Sequence, residues 1–234
     1  MDLILTMAGK YTRFKNEGYK FPKYLLPWGN RSILSEIIYQ LTKTHQFDNI
    51  FLIANKDEID FINHIKKIME FYYIPFQNLI TISDTAGQAE TAYLGLCEIQ
   101  MFHKLNDSIC IHNIDTILLD RDISNIRKQL KSNSGYIDLF KSNNHGYSYV
   151  LMSGNLITTI SEKILISDLA TSGLYGFSSA DMFYKNYNGE LYISELYKNL
   201  ISNNHQIVSG NIHSEKNTIV LGTPTDYLTQ SSLL

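Results

Sequence analysis

Only two cysteines, four prolines and one tryptophan occur in 234 residues. Two cysteines, Cys97 and Cys110, both in apolar sequence surroundings, exclude a disulfide-built scaffold. They are read as reduced and buried, the state of a cytoplasmic protein. So few prolines leave no room for a proline-rich linker. No apolar run approaches the roughly eighteen residues that a membrane helix needs, and the N-terminus carries no signal-peptide pattern. No charge of one sign dominates, because 20 Lys and Arg stand against 23 Asp and Glu, a net of −3. With no basic stripe, nucleic-acid binding has no electrostatic case. The histidines, at 45, 64, 103, 112, 145, 205 and 213, form no zinc-like pair with a cysteine or a second histidine. There is no Gly-x-Ser-x-Gly elbow, so acyl hydrolysis lacks support, and neither a P-loop nor a dinucleotide signature is complete. What is present is a 44% hydrophobic chain, enough for a sizeable core and for one domain spanning 1–234, soluble and intracellular.

Strand and helix patterns alternate through the first half. Leu3-Ile4-Leu5 reads as a buried first strand. Ser32 caps a helix over about 32–45, with Ile33, Ile37, Ile38 and Leu41 on one face. Residues 49–54 form a buried strand, and Asp57 or a neighbour opens a helix in which Ile59, Ile62, Ile65 and Met69 recur at helical spacing before Pro75. A third strand at 79–83, a third helix over 87–104 carrying Ala92, Leu96 and Ile99, and a fourth strand at 108–112 follow. Strands separated by helices of this length imply right-handed crossovers and a parallel sheet covered on both faces. The second half changes character. Strands at 136–140, 147–152 and 156–161 are joined by Asn- and Gly-rich turns and look antiparallel. A strand at 172–177, a helix over 192–203 and short strands near Ile207 and Ile219 come next, and Thr223-Pro224 opens a last helix. The fold class is α/β: a Rossmann-like three-layer fold, mostly parallel at its centre, with a smaller antiparallel extension.

The most informative stretch is Met7-Ala8-Gly9-Lys10-Tyr11-Thr12-Arg13-Phe14, followed by Phe21-Pro22-Lys23. A small-residue turn at the end of a buried strand lets backbone N–H groups approach a phosphate closely. Arg13 and Lys23 add two fixed positive charges that suit a triphosphate, at the place where open α/β sheets bind nucleotides. The alternative is a loop with two solvated charges.

Six segments in order resemble one family, the sugar-phosphate nucleotidyltransferases (NTP transferases). They are Met7-Ala8-Gly9 through Arg13-Phe14; Pro22-Lys23; Gly87-Gln88-Ala89 with Thr91; Asn113-Ile114-Asp115; Glu162-Lys163 with Thr171-Ser172-Gly173-Leu174-Tyr175; and Leu221 through Tyr227. The detail of Phe14, Gly18-Tyr19, Pro22-Lys23-Tyr24 and His112 through Thr116 is most similar to a branch found with bacterial capsule and surface-polysaccharide genes, cytidylyltransferase-like. The resemblance implies a transferase of the EC 2.7.7 type, in which a substrate phosphate attacks the α-phosphorus of a nucleoside triphosphate and pyrophosphate leaves. A phosphate monoester is mostly dianionic near neutral pH, its second pKa being about 6, so no side-chain base is required. The protein must bring two anions together and hold them in line. By resemblance, Arg13 stabilises the leaving pyrophosphate, Lys23 neutralises the reacting phosphates, and Lys163 grips the acceptor phosphate. Met7, Ala8, Gly9, Lys10, Tyr11, Gly87, Gln88, Thr91 and Asn113 form the nucleotide site, and Glu162, Ser172 and Gly173 line the acceptor pocket. Asp115, just past an apolar strand, is the candidate Mg²⁺ ligand, since one carboxylate plus substrate phosphates is a common way to hold that ion.

Blander roles stand beside these. Asp115 could be an Asx-turn residue, Gln88 a helix cap, Glu162 a surface charge, and His112 a satisfied strand-end histidine. Tyr147 and Tyr149 read as ordinary packing. The expected base is cytosine, with uracil and thymine competing. The acceptor is a sugar, alditol or other small phosphate, and a homodimer is left open. Two departures matter. Tyr11 stands where the family's loop has a second glycine, and Val220 stands where many members have a second metal-binding aspartate. Asp226, inside the final helix, is a poor replacement for it. Either one aspartate suffices, or Glu215 fills the role, or the chain binds nucleotide without turnover, as a regulatory module. A glycosyltransferase on a related fold is a third reading, only half supported by Asn113-Ile114-Asp115.

Overall fold

The alternation of apolar residues in the first strand sets the whole architecture. In β1 (Asp2–Thr6) every residue is buried: Leu3 and Leu5 join one core cluster, Ile4 the other. A strand with apolar groups on both faces needs a layer above and a layer below. The computed structural model describes residues 1–105 and 108–233. After β1 come α1 (Thr12–Asn16), β2 (Pro27–Trp28), β3 (Arg31–Ser32), α2 (Ile33–Thr42), β4 (Asn49–Asn55), α3 (Ile62–Phe71), β5 (Leu79–Ile82), α4 (Gln88–Gln100), β6 (Ile109–Asn113) and β7 (Thr116–Leu118). The second half holds α5 (Ile123–Gln129), β8 (Gly135–Lys141), β9 (Ser148–Ser153), β10 (Leu156–Glu162), β11 (Leu169–Phe177), α6 (Ala180–Tyr184), α7 (Ile193–Ser202), β12 (Ile207–Val208), β13 (Ile212–His213), β14 (Thr218–Val220) and α8 (Pro224–Ser231).

The main sheet runs β13-β8-β12-β10-β9-β11-β6-β1-β4-β5. Its central block β6-β1-β4-β5 is parallel, and β11 joins β6 antiparallel. Because β8 also pairs with β11, the pairings β8-β12-β10-β9-β11 close into a circuit at the antiparallel end. Helices α2 and α3 contribute to the cluster on one face, and α4, α6 and α7 to the cluster on the other. The three layers and the antiparallel strands of the second half agree with the expected α/β class.

Local chemistry explains most boundaries. Ser32 caps α2 by accepting from the Ser35 N–H at 3.2 Å. Thr223 caps α8, with Asp226 returning a bond to the Thr223 N–H at 3.0 Å and Pro224 in the first turn, where its missing N–H costs nothing. Two expectations need correction. The stretch from Asp57 does not start a regular helix: Lys56–Phe61 is 3-10, with Glu58 at φ −94°, ψ 30°. The change of pitch throws Ile59 off the buried stripe, and it is 65% exposed. Of the two free cysteines, Cys110 is buried but Cys97 only partly so. No helix among the described residues is long and apolar enough to cross a membrane.

Candidate functional site

Two clefts open at the carboxyl ends of the parallel strands and share a wall. One, of about 470 Å³, lies over the β1 loop and the turn before α4; the other, of about 410 Å³, lies over the antiparallel strands. Gln88, Asn113, Asp115 and Tyr192 line both. Asn113 ends β6, whose neighbours are β1 on one side and β11 on the other, so the shared wall coincides with the seam between the parallel and antiparallel halves.

The first cleft contains Met7, Gly9, Lys10, Tyr11, Lys23, Gly87 and Thr91. Ala8 lies fully buried in the same turn. A Cβ on Gly9 would meet nothing within 4 Å, so the protein's own packing does not demand a glycine there. Its smallness leaves space in front of the backbone, as a phosphate needs. Tyr11 adopts φ −81°, a conformation open to any residue, which explains how it replaces a glycine. Its ring is buried, with the Lys15 ammonium 4.3 Å from the ring centroid. Behind it Tyr24 donates to Glu58 at 2.5 Å. Lys10 pairs with Asp84 at 2.5 Å, and Asn55 donates both to Asp84 at 2.7 Å and to the Ala8 carbonyl at 3.2 Å. These bonds tie the β1 loop to the turn before α4. Gly87 is the N-cap of α4, and a Cβ there would come within 2.3 Å of the Leu191 carbonyl oxygen. Only glycine lets the 188–192 segment lie on that turn and carry Tyr192 into the cleft.

The second cleft is polar. Glu162 accepts from Ser194 at 2.6 Å and from Ser148, and its other oxygen lies 3.7 Å from the Lys163 ammonium. Ser172 and Gly173 lie on the same wall, and Arg13 reaches it from α1. Lys163 follows β10 in the left-handed region at φ 56°, unusual for a non-glycine residue and frequent at functional sites. Its ammonium donates to Tyr192 Oη at 2.6 Å and stands 4.2 Å from that ring. The phenol bond foremost holds the Lys163 pKa above its ordinary value. Tyr192→Phe keeps the ring and removes that bond, so the pKa should fall and more neutral amine should be present at a given pH. Acylation of Lys163 by an amine reagent, followed by mass spectrometry, is expected to quicken severalfold; an unchanged rate would free Lys163 from Tyr192.

Asp115, in the turn between β6 and β7, connects the clefts. Lys23 donates to its Oδ2 at 2.8 Å, with the two side chains 20% and 28% exposed. Burial pushes the carboxyl up, but the Lys23 charge and hydrogen bond, with His112 and Thr116 behind them, outweigh it and hold the pKa below the usual carboxylate range. An ionised carboxylate is what a divalent cation needs. No group of three or more His, Cys, Asp and Glu side chains suited to a metal exists among the described residues. Mg²⁺ is commonly held by one or two carboxylates with phosphates and water, and the donor set here fits that mode. Asp226 lines the second cleft with Asp115, but its Oδ2 accepts from the Thr223 N–H at 3.0 Å and from Thr223 Oγ1 at 2.6 Å in the α8 cap, so it remains a poor replacement ligand. Val220 lies on the same wall. Glu215 does not line either cleft and instead accepts from Ser142 at 2.7 Å, so it is not the replacement ligand. His112 is fully buried between the carbonyls of Gly173 (3.2 Å) and Thr116 (2.8 Å).

All of the residues expected to act except the buried Ala8 line one cleft or the other, but Arg13, expected beside the phosphate loop, lines only the second. Tyr149 is core, as expected, but Tyr147 precedes β9 and lines the second cleft. Tyr192, Ser148, Ser194, Asn55 and Asp84 were missed. An aromatic residue directly before an apolar helical pattern, where Ser, Thr, Asn or Asp is usual, was the available sign for Tyr192.

No family model matches the chain. One curated relative, the bifunctional protein GlmU of Methanococcus aeolicus, is 25% identical over 212 residues, 88% of this chain and 48% of its own length. The chain thus spans about half of that relative. The solved nucleoside-diphosphate-sugar pyrophosphorylase of Vibrio cholerae RC9 superposes with a TM-score of 0.83 at 24% identity, covering 98% of this chain and 99% of that one. A putative glucose-1-phosphate thymidylyltransferase of Bacillus anthracis (TM-score 0.75, 20% identity, 99% and 94% covered) and the inositol-1-phosphate CTP transferase of T. maritima (0.73, 10%, 98% and 93%) share the architecture. At these identities the structural likeness establishes the fold.

Proposed function

We propose that this protein is a nucleotidyltransferase that condenses a nucleoside triphosphate with a small phosphorylated acceptor, a sugar, alditol or other phosphate, and releases pyrophosphate. The observation that carries the reading is Asp115, ionised and paired with Lys23, on the wall common to two clefts, with Arg13 and Lys163 at the second cleft. A site that only bound nucleotide would have no use for a second polar cleft supplied with its own cation.

In this reading the first cleft holds the nucleotide, its base against the Gly87-Gln88 turn and its phosphates along Met7 to Tyr11. The second holds the acceptor, with Glu162 and Ser172 facing its polar groups and Lys163 its phosphate. Asp115 would hold Mg²⁺, which supplies charge neutralisation at the phosphates. Lys23 neutralises the charge that builds as the acceptor oxygen approaches phosphorus; Arg13, which lines the second cleft and not the first, adds positive charge on the acceptor side and not at the departing pyrophosphate. The acceptor phosphate needs no base, so the protein's part is alignment. CTP is the favoured nucleotide, from the likeness to the capsule and surface-polysaccharide branch, and that biosynthesis is the proposed setting.

The test is a panel of CTP, UTP, dTTP, ATP and GTP with Mg²⁺ and a set of small phosphates, reading pyrophosphate. Release with a pyrimidine nucleotide and one acceptor is expected. Nucleotide binding without pyrophosphate from any pair would replace the enzyme by a regulatory nucleotide-binding module. Lys23→Ala should lower kcat by about 10²–10³, the usual loss for one transition-state contact. An unchanged kcat would remove Lys23 from the reacting centre.

A further inference from the structure

Two buried polar atoms in the shared wall lack a hydrogen-bond partner among the described residues: Gln88 Nε2, a donor, and Asn113 Oδ1, an acceptor. Native proteins rarely leave such atoms unpaired, and each needs a reason. Three other buried atoms share this condition, Asp138 Oδ1, Tyr184 Oη and Ser209 Oγ, but their residues do not line these two clefts. Gln88 and Asn113 line both.

The Asn113 amide is held in place. A Cβ on Gly173, which has φ 87°, would come within 2.7 Å of Asn113 Nδ2 and 2.9 Å of its Cγ. Gly173 thus makes the slot in which the amide lies, and β1 and β11 fix the backbone of β6 from both sides. One preset acceptor and one unpaired donor match a hydroxyl group, which donates once and accepts as well.

Their place along the site narrows the source of that hydroxyl. Gln88 follows the Gly87 turn where the base is read, and Asn113 lies two residues before Asp115, where the phosphates gather. A nucleotide laid between those ends puts its pentose between them. We infer that Asn113, with Gln88 in the same wall, is a specificity-determining residue that receives a ribose hydroxyl and selects ribonucleotides over their deoxy forms. The inference rests on the nucleotidyltransferase reading and adds to it the sugar of the nucleotide.

Binding measured by titration calorimetry tests it without turnover. CTP, 2′-deoxy-CTP and 3′-deoxy-CTP, and the same three forms of UTP, are each titrated with Mg²⁺ and no acceptor. At least one deoxy form is expected to bind on the order of tenfold more weakly, since it leaves a buried group unpaired. In Asn113→Leu the preference should collapse towards one through loss of affinity for the ribo form. Gly173→Ala, which pushes the amide from its slot, and Gln88→Met should erode it in the same direction, so the test survives if one variant fails to fold. Equal binding of all three forms by the wild type, or an unchanged preference in the folded variants, overturns the inference. If those variants instead raise the KM of an acceptor found in the pyrophosphate panel, the hydroxyl belongs to the acceptor and the ribose assignment falls. No binding by any nucleotide overturns the nucleotidyltransferase reading, and this inference with it.

Discussion

Asp115→Ala should abolish pyrophosphate release, a fall of about 10³-fold or more, because it removes both the proposed metal ligand and the partner of Lys23. The fold should survive. Asp115 sits in a turn and, like Lys23, keeps contact with solvent, so the lysine left behind is not trapped as a buried unpaired charge. Circular dichroism and a melting curve close to wild type, beside lost activity, are the expected pair of results. Asp115→Asn, which keeps the shape and loses the charge, should be nearly as inactive. Near-normal turnover in either variant would take Asp115 out of the mechanism.

The largest stability effect is expected at Arg121, which lines neither cleft. Its side chain is fully buried and bonds Asp138 at 2.9 Å, the carbonyls of Leu119 (2.9 Å) and Asn217 (2.6 Å), and Thr218 Oγ1 (2.6 Å). These contacts join the end of β7 to β8 and to the start of β14. The β7–β14 ribbon leads directly into the Asp115 turn and into Gly222 and Asp226. Arg121→Met would leave Asp138 buried with only His213 facing its charge, 3.8 Å from its other oxygen and with its pKa held down by burial. Removing one member of such a pair costs about 3–5 kcal/mol. Denaturant unfolding should report that loss, and the double variant Arg121→Met, Asp138→Leu should recover much of it. A single variant as stable as wild type would make the pair an ornament of the ribbon.

How much of this was legible in the sequence depended on length and periodicity. Helices α2, α4 and α7 repeat apolar residues over ten or more positions, and Thr223-Pro224 marks α8 by its capping chemistry. Helices α1, α5 and α6 have five, seven and five residues, too few to show a repeat, and β2 and β3 are a two-residue pair. Ile59 misled because its spacing is helical while its backbone is 3-10. At the site, side chains adjoining a strand end or a helix start were readable, as with Asp115, Lys163 and Gly87. Arg121 and Asp138 were not, since seventeen positions separate two ordinary charges and only the fold buries them together. The unpaired amides of Gln88 and Asn113 were equally invisible, because a missing partner is a property of space.

The position of β6 between β1 and β11 has a consequence for biosynthesis. As the chain leaves the ribosome, β1, β4 and β5 can pair early, and β6 can join them along one edge. Its other edge stays open until Leu169–Phe177 has been made. Until then Asn113 ends an edge strand, with Asp115 in the turn after it, and nothing pairs with that strand on the side of the second cleft. The wall shared by the two clefts is therefore completed by a late segment, and a nascent chain stopped before β11 would carry both residues but not the wall.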